Sequence, residues 1–126
     1  MKPKILVSRK ISDLAEEKLA KEFDVTLNPK DEPIPESELI KKINDYDGMI
    51  STGFDKIGEN FFNNLNGKLK IIAQVGVGYD NISINSALEK NIKVTNTPNV
   101  LNAAVASDQT KIPIETIVIL FDRSAR

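Results

Sequence analysis

Three short stretches hold the residues whose types could do chemistry: Gly76-Val77-Gly78-Tyr79-Asp80-Asn81, Ser51-Thr52-Gly53 and Ser8-Arg9-Lys10. The first is the most suggestive. An apolar run from Leu69 to Val75 feeds into its two glycines, as a strand feeds the pyrophosphate-binding turn of a dinucleotide fold. That turn needs a third glycine at position 81, where this chain has Asn81, and an acidic residue about 20 positions on to meet a ribose. Thr97-Pro98-Asn99-Val100 stands there instead. Two other readings remain. One is a plain glycine turn where a strand leaves a sheet. The other is a nest of backbone N–H groups for a carboxylate or phosphate, backed by the N-terminus of a following helix and held by Asp80 and Asn81 through side chain–backbone hydrogen bonds.

Other chemistry is limited by composition. The 126 residues contain no His and no Cys. Acid–base work near neutral pH would therefore fall to Asp, Glu, Lys or Tyr, and neither thiolate nor imidazole metal sites can form. We expect no metal site. Arg occurs only at 9, 123 and 126. Arg9 alone stands near a candidate pocket loop, and an exposed loop arginine is its ordinary reading. The formal net charge is −1 with acids and bases interleaved, so no footprint for nucleic acid or an anionic membrane is present. No apolar run approaches the about 18 residues of a membrane span, and the N-terminal MKPKILVSRK has no long apolar core of a signal peptide. A cytoplasmic protein is the expectation.

The elements that must position these loops follow from the pattern. Short apolar segments occupy 4–8, 24–28, 48–52, 70–75 and 92–97. Helix-like stretches lie between them. Ser12 can cap a helix over 13–23, with Glu16 one residue late for a capping pair and Leu14, Leu19 and Phe23 on a buried stripe. Pro35 can open a second helix that buries Leu39, Ile40 and Ile43. A shorter helix starts at Gly58 and ends near Gly67. A fourth can be capped by Ser83 and stopped at Asn91. Strand–helix alternation at this spacing predicts a parallel sheet in a single α/β domain, doubly wound in the flavodoxin-like order 2-1-3-4-5. Ligands of such sheets sit beyond the carboxyl ends of the strands near the switch point, which here means the loops 8–12, 51–56 and 76–81. After 99–107, which reads as helix, Pro113 and the β-branched run 116–121 fit either a sixth strand or a helix.

Val75-Gly76-Val77-Gly78-Tyr79-Asp80-Asn81-Ile82, a helix, and then NIKVTNTPNVLNAAVA (91–106) closely resemble the D-isomer-specific 2-hydroxyacid dehydrogenases. The opening MKPKILVSRKI and the Phe23-Asp24-Val25 after the first helix look most like the glyoxylate (hydroxypyruvate) reductase branch. The resemblance covers residues 1–106 and implies the flavodoxin-like substrate domain of such an enzyme. It implies that backbone amides at Val77 and Gly78 hold a 2-oxoacid carboxylate, and that Ser51, Thr52 and Gly53 line the same pocket. Members acting on phosphoglycerate tend to carry an Arg in the third-strand loop. Ser51 and Thr52 in its place imply a small unphosphorylated substrate such as glyoxylate or hydroxypyruvate. Tyr79 is read as surface packing, and Asn96 to Asn99 as turn chemistry ending the fifth strand.

The resemblance also marks what this chain lacks. The family transfers hydride between NAD or NADP and the substrate, using an Arg and a His–carboxylate pair on a second, Rossmann domain. None of these has a counterpart here. No catalytic and no cofactor-binding residue is therefore assigned, and no dinucleotide is expected on this chain alone. From Ser107 the sequence departs abruptly from the family, so 107–126 is set apart as a divergent tail, natural, frame-shifted or engineered. Its run 114–121 can cover apolar surface or pair with another chain, and a homodimer follows from the second option. A receiver-type signalling domain would need acidic residues after the first strand and an Asp ending the third, where Ser8-Arg9-Lys10 and Ser51-Thr52-Gly53 stand. A flavodoxin would need flanking aromatics, but the chain has no Trp and two Tyr. A non-catalytic, self-associating fragment with no ligand is the remaining alternative.

Overall fold

The computed structural model describes residues 2–11, 13–75 and 80–96. Strands β1 (Lys4–Val7), β2 (Asp24–Thr26), β3 (Gly48–Thr52), β4 (Ile71–Val75) and β5 (Lys93–Asn96) alternate with helices α1 (Asp13–Glu22), α2 (Glu36–Ile43), α3 (Glu59–Asn63) and α4 (Ile84–Glu89). The strands form one parallel sheet in the order β2-β1-β3-β4-β5, the order expected from the spacing. The chain moves outward from β1 to β2, then returns to build β3 on the other side of β1. That reversal opens a crevice beyond the carboxyl ends of β1 and β3.

The central strands are buried on both faces, which is why they read as continuous apolar runs and not as alternations. Leu6, Met49 and Ile72 point to one face, where they pack with Leu39 and Ile43 of α2, Phe61 and Phe62 of α3 and Ala87 of α4. Phe61 and Phe62 meet edge to face, centroids 5.1 Å apart. Ile5, Val7, Ile50, Ile71 and Ala73 share the other face with Ala15, Leu19 and Phe23. The buried stripe of α1 is therefore Ala15, Leu19 and Phe23, at four-residue steps. Leu14, expected on that stripe, stands 55% exposed one position round the helix.

Several local signals act as their chemistry requires. Asn91 ends α4 in the left-handed region (φ 60°), which an asparagine tolerates. Pro35 sits at the N-cap of α2, just before the first turn. Leu39 and Ile43 are buried, and Ile40 packs beside them. Glu16 accepts hydrogen bonds from the Ile11 N–H (3.4 Å) and from Lys10 Nζ (2.6 Å), while Ser12 lies outside the described residues. Ser83 occupies the N-cap of α4, but its hydroxyl donates to Ser86 Oγ (2.8 Å) and accepts no capping bond from a backbone N–H. α3 stops at Asn63, short of the expected end near Gly67. Gly67 itself is needed for close approach: a Cβ there would lie 2.3 Å from the carbonyl oxygen of Asn44. The tail from 107, with its strand-or-helix question, lies outside the described residues.

Candidate functional site at the carboxyl ends of the strands

The expected pocket loops converge at the crevice. Parallel pairing sets Ser51 beside Gln74 and Thr52 beside Val75. Where β3 and β4 end, a further parallel bridge between Ile57 and Ile82 ties their two loops together. The Ile57 N–H donates to the Asn81 carbonyl (3.1 Å), and the Ser83 N–H donates to the Ile57 carbonyl (2.9 Å). Both isoleucines are buried in the core, so apolar packing and backbone pairing fix the two loops against each other.

Inside this frame lies a polar cluster. Ser8, Ser51, Asp55 and Gln74 are all buried, a rare setting for polar side chains unless they are hydrogen-bonded. They are. Ser8 Oγ, at the end of β1, donates to Asp55 Oδ2. The same carboxylate oxygen accepts the Thr52 N–H (2.8 Å) and Thr52 Oγ1 (3.3 Å). Asp55 thus pins the turn after β3 to the end of β1. Ser51 Oγ donates to Gln74 Oε1 (2.9 Å). Gln74 and Asn81 then exchange hydrogen bonds, Nε2 to Oδ1 at 2.6 Å and Nδ2 to Oε1 at 3.2 Å. Asn81 Nδ2 also reaches the carbonyls of Thr52 (3.1 Å) and Asp55 (2.7 Å). Among the described residues no buried side-chain nitrogen or oxygen is left unpartnered.

The five residues named from sequence fall into three groups. Ser51 is wholly buried, its hydroxyl committed to Gln74, so it faces the sheet and not the crevice. Thr52 and Gly53 sit on the turn at the crevice, Thr52 half-buried and Gly53 exposed with open space around its Cα. Val77 and Gly78 lie outside the described residues. Sequence reasoning placed Ser8 and Asp55 within the expected loops 8–12 and 51–56 without giving them a role, and it missed Gln74. Only Gln74 left a signal, being polar within an otherwise apolar buried strand. Asp80 and Asn81 were expected to hold their own loop by bonding backbone; the Asn81 amide instead bonds the backbone of the neighbouring turn, at the carbonyls of Thr52 and Asp55.

Arg9 is held at the rim. Its Nε donates to Asp31 Oδ1 (2.8 Å), and its guanidinium lies 5.3 Å from the centroid of the Phe54 ring, which is 84% exposed. The Asp31 hydrogen bond raises the Arg9 pKa, and the Arg9 hydrogen bond, with the Lys10 N–H, lowers that of Asp31. Asp31 takes a left-handed backbone (φ 54°) at a turn closed by its N–H to the Asn28 carbonyl (3.0 Å). Arg9 is therefore an ion-paired strut against the 28–31 turn, not a solitary loop cation.

The cluster can orient but offers little acid–base chemistry. Its hydroxyls have no imidazole beside them, and Asp55 is occupied by three donors. Among the described residues no group of three or more potential ligands could hold a metal ion, and no helix is long and apolar enough to cross a membrane. The described residues do not fit a dinucleotide either. At the third-glycine position, the Asn81 side chain fills the space between the two loops. A separate cavity of about 630 Å³ lies between α4 and β5, lined by Ile84, Leu88, Ile92 and Val94 together with Asn91, Lys93 and Thr95.

This architecture is shared with known proteins. Residues 5–107 match the family model of the D-isomer specific 2-hydroxyacid dehydrogenase catalytic domain. Over 106 residues the chain is 39% identical to a glyoxylate reductase of Pyrococcus horikoshii and 37% identical to one of Pyrococcus furiosus, in each case covering 84% of this chain and 31% of the relative. The chain thus spans about a third of the length of these relatives. Among solved structures, it is similar to an NAD+-bound 3-phosphoglycerate dehydrogenase of Entamoeba histolytica (TM-score 0.65, 30% identity, 78% of this chain and 33% of that one). It is also similar to a 2-hydroxyacid dehydrogenase of Ketogulonicigenium vulgare (TM-score 0.64, 27% identity, 85% and 33%). With its sheet order, its paired loops and a match over most of its length, the chain belongs to the D-isomer specific 2-hydroxyacid dehydrogenase family, to whose catalytic domain it corresponds.

Proposed function

We propose that this chain is the substrate-binding part of an NAD- or NADP-dependent reductase of a small, unphosphorylated 2-oxoacid such as glyoxylate or hydroxypyruvate. The carboxylate is held by backbone N–H groups at Val77 and Gly78, and Thr52 and Gly53 form the facing wall. Ser51 acts from behind, through Gln74. The observation that supports this reading is the pairing of Thr52 with Val75, which sets the ends of β3 and β4 side by side next to the switch point. Hydroxyl and glycine residues in the 51–53 turn favour a small acid, since no cation there awaits a phosphate. The chain has no histidine, and its described residues do not fit a dinucleotide, so the proton donor and the nicotinamide belong to other residues of the working enzyme. The run Ile114 to Phe121 suits self-pairing, and a homodimer is proposed on that basis; elution as a monomer at high concentration would count against it.

Two measurements test the reading. In a nitrogen-15 amide titration of the 126-residue chain with glyoxylate, saturable shifts are expected at 52–53 and 76–80. The absence of shifts there, or larger shifts elsewhere, overturns the site. In the second, the same chain is given NADH or NADPH with glyoxylate and followed at 340 nm. No consumption above the blank is expected; turnover would show that this chain builds a cofactor site and a proton donor of its own.

A further inference from the structure

We propose that Gln74 and Asn81 form a clasp that fixes the entry and exit of the loop between them, and that these two side chains are positioning residues for the carboxylate site. The inference rests on the site reading above for its consequence in binding, but its geometry stands on described residues alone. Gln74 is on the penultimate position of β4, and Asn81 leads into Ile82 and α4. Their amides are paired reciprocally, Nε2 to Oδ1 (2.6 Å) and Nδ2 to Oε1 (3.2 Å). Two planar amides joined this way fix distance and orientation together, as a single hydrogen bond does not.

The clasp is itself referenced to the opposite wall. Ser51 Oγ donates to Gln74 Oε1, which leaves Gln74 Nε2 to point at Asn81. Asn81 Nδ2 is shared with the carbonyls of Thr52 and Asp55. The end of β4 and the start of the segment leading into α4 are therefore registered on the 51–55 turn through side chains. The residue types are demanding. Asn81 must accept once from Gln74 and donate towards three oxygens. An aspartate of the same shape would face those oxygens with no donor. A glutamate at 74 would keep the acceptor for Ser51 but turn its second oxygen on Asn81 Oδ1.

The test is amide hydrogen exchange of the 126-residue chain, comparing wild type with Gln74→Glu and Asn81→Asp. Exchange at Val75, and at Ile57 and Ser83, whose N–H groups join the two loops, is expected to rise on the order of tenfold, while strand amides at 5–7 and 49–51 stay within twofold. Because no ligand is needed, this outcome bears on the clasp whether or not glyoxylate binds. Unchanged exchange at Val75, Ile57 and Ser83 in Gln74→Glu overturns the clasp. A variant that merely unfolds shows itself by faster exchange in the strands. In that case Ser51→Ala, which removes only the bond that orients Gln74, gives the reading: a local rise supports the clasp and no rise overturns it. Glyoxylate titrations then separate the two proposals. Wild-type binding weakened about tenfold in Gln74→Glu, a single hydrogen bond's worth, supports the positioning role. Wild-type binding with an unweakened variant refutes that role. Absent wild-type binding, beside locally raised exchange in the variant, refutes the site and leaves the clasp standing.

Discussion

The two ends of the sheet solve the same structural problem with different chemistry. At the amino end, Asp47 precedes β3 and accepts the Lys4 N–H (2.8 Å), with Lys68 Nζ 3.9 Å away. Lys4 Nζ lies 5.3 Å from the centroid of the Tyr46 ring, and the surrounding hollow is lined by lysines and aspartates. At the carboxyl end, Asp55 follows β3 and accepts from Ser8 and Thr52, and the network it joins is made of uncharged hydroxyls and amides, with Ser8, Ser51 and Gln74 buried and Thr52 and Asn81 half-buried. The amino end carries solvated charge, where each pair contributes little and geometry is loose. The carboxyl end carries buried, fully satisfied polar bonds, which specify geometry because breaking one strands a desolvated group. A fold that needs rigid backbone for a ligand at one end only would be wired in this asymmetric way.

The contrast can be broken most severely at Asp55. Asp55→Ala leaves the Ser8 hydroxyl and the Thr52 N–H without their acceptor, and about 3 kcal/mol of stability should be lost in urea unfolding. Asp55→Asn, which keeps one acceptor, should lose clearly less; equal losses would mean that the charge and not the bond count matters. Next is Gly67→Ala, a purely steric control remote from the carboxyl-end cluster. Its Cβ would meet the rigid backbone of Asn44, so a loss of about 2 kcal/mol is expected, with exchange at the pocket loops unchanged. At the amino end, Asp47→Ala removes one partly exposed acceptor and should cost only about 1 kcal/mol. A cost matching that of Asp55→Ala would abolish the proposed asymmetry.

The smallest effect is expected at the rim pair. The Asp31 pKa is lowered by Arg9 and the Lys10 N–H, so its contribution is present above the unfolded carboxylate value of about 3.9 and is lost as pH falls through the lower folded value. Wild type and Asp31→Asn should therefore differ slightly at neutral pH, less at high salt, and converge at acid pH. Urea midpoints across that range check it. A difference that grew on acidification would reverse the assigned sign.

Much of this protein was legible residue by residue. Continuous apolar runs such as Lys4-Ile5-Leu6-Val7 and Ile71-Ile72-Ala73 mark strands covered on both faces, and the helices between them force parallel pairing. Asn91 stops a helix because its short side chain tolerates a left-handed backbone. These signals are local, so one chain suffices to read them. Leu14 misled because it and Ala15 both fit a helical stripe, and the choice between neighbours on a helix is made by the partner surface. Ser8 and Asp55 lie on loops expected to converge, but nothing in their neighbours announces that their side chains bond, or that Gln74 joins Ser51 and Asn81 beside them. The sheet register brings Ser51 opposite Gln74, and the Ile57–Ile82 bridge brings Asn81 within reach. The sequence by itself determined the strands, their order and the family's loop. Only the tertiary structure decided that Ser51 faces inward and that Asp55, Gln74 and Asn81 tie the ends of β1, β3 and β4 together, because hydrogen bonds across long sequence separation exist only after the sheet has set the distance between their partners.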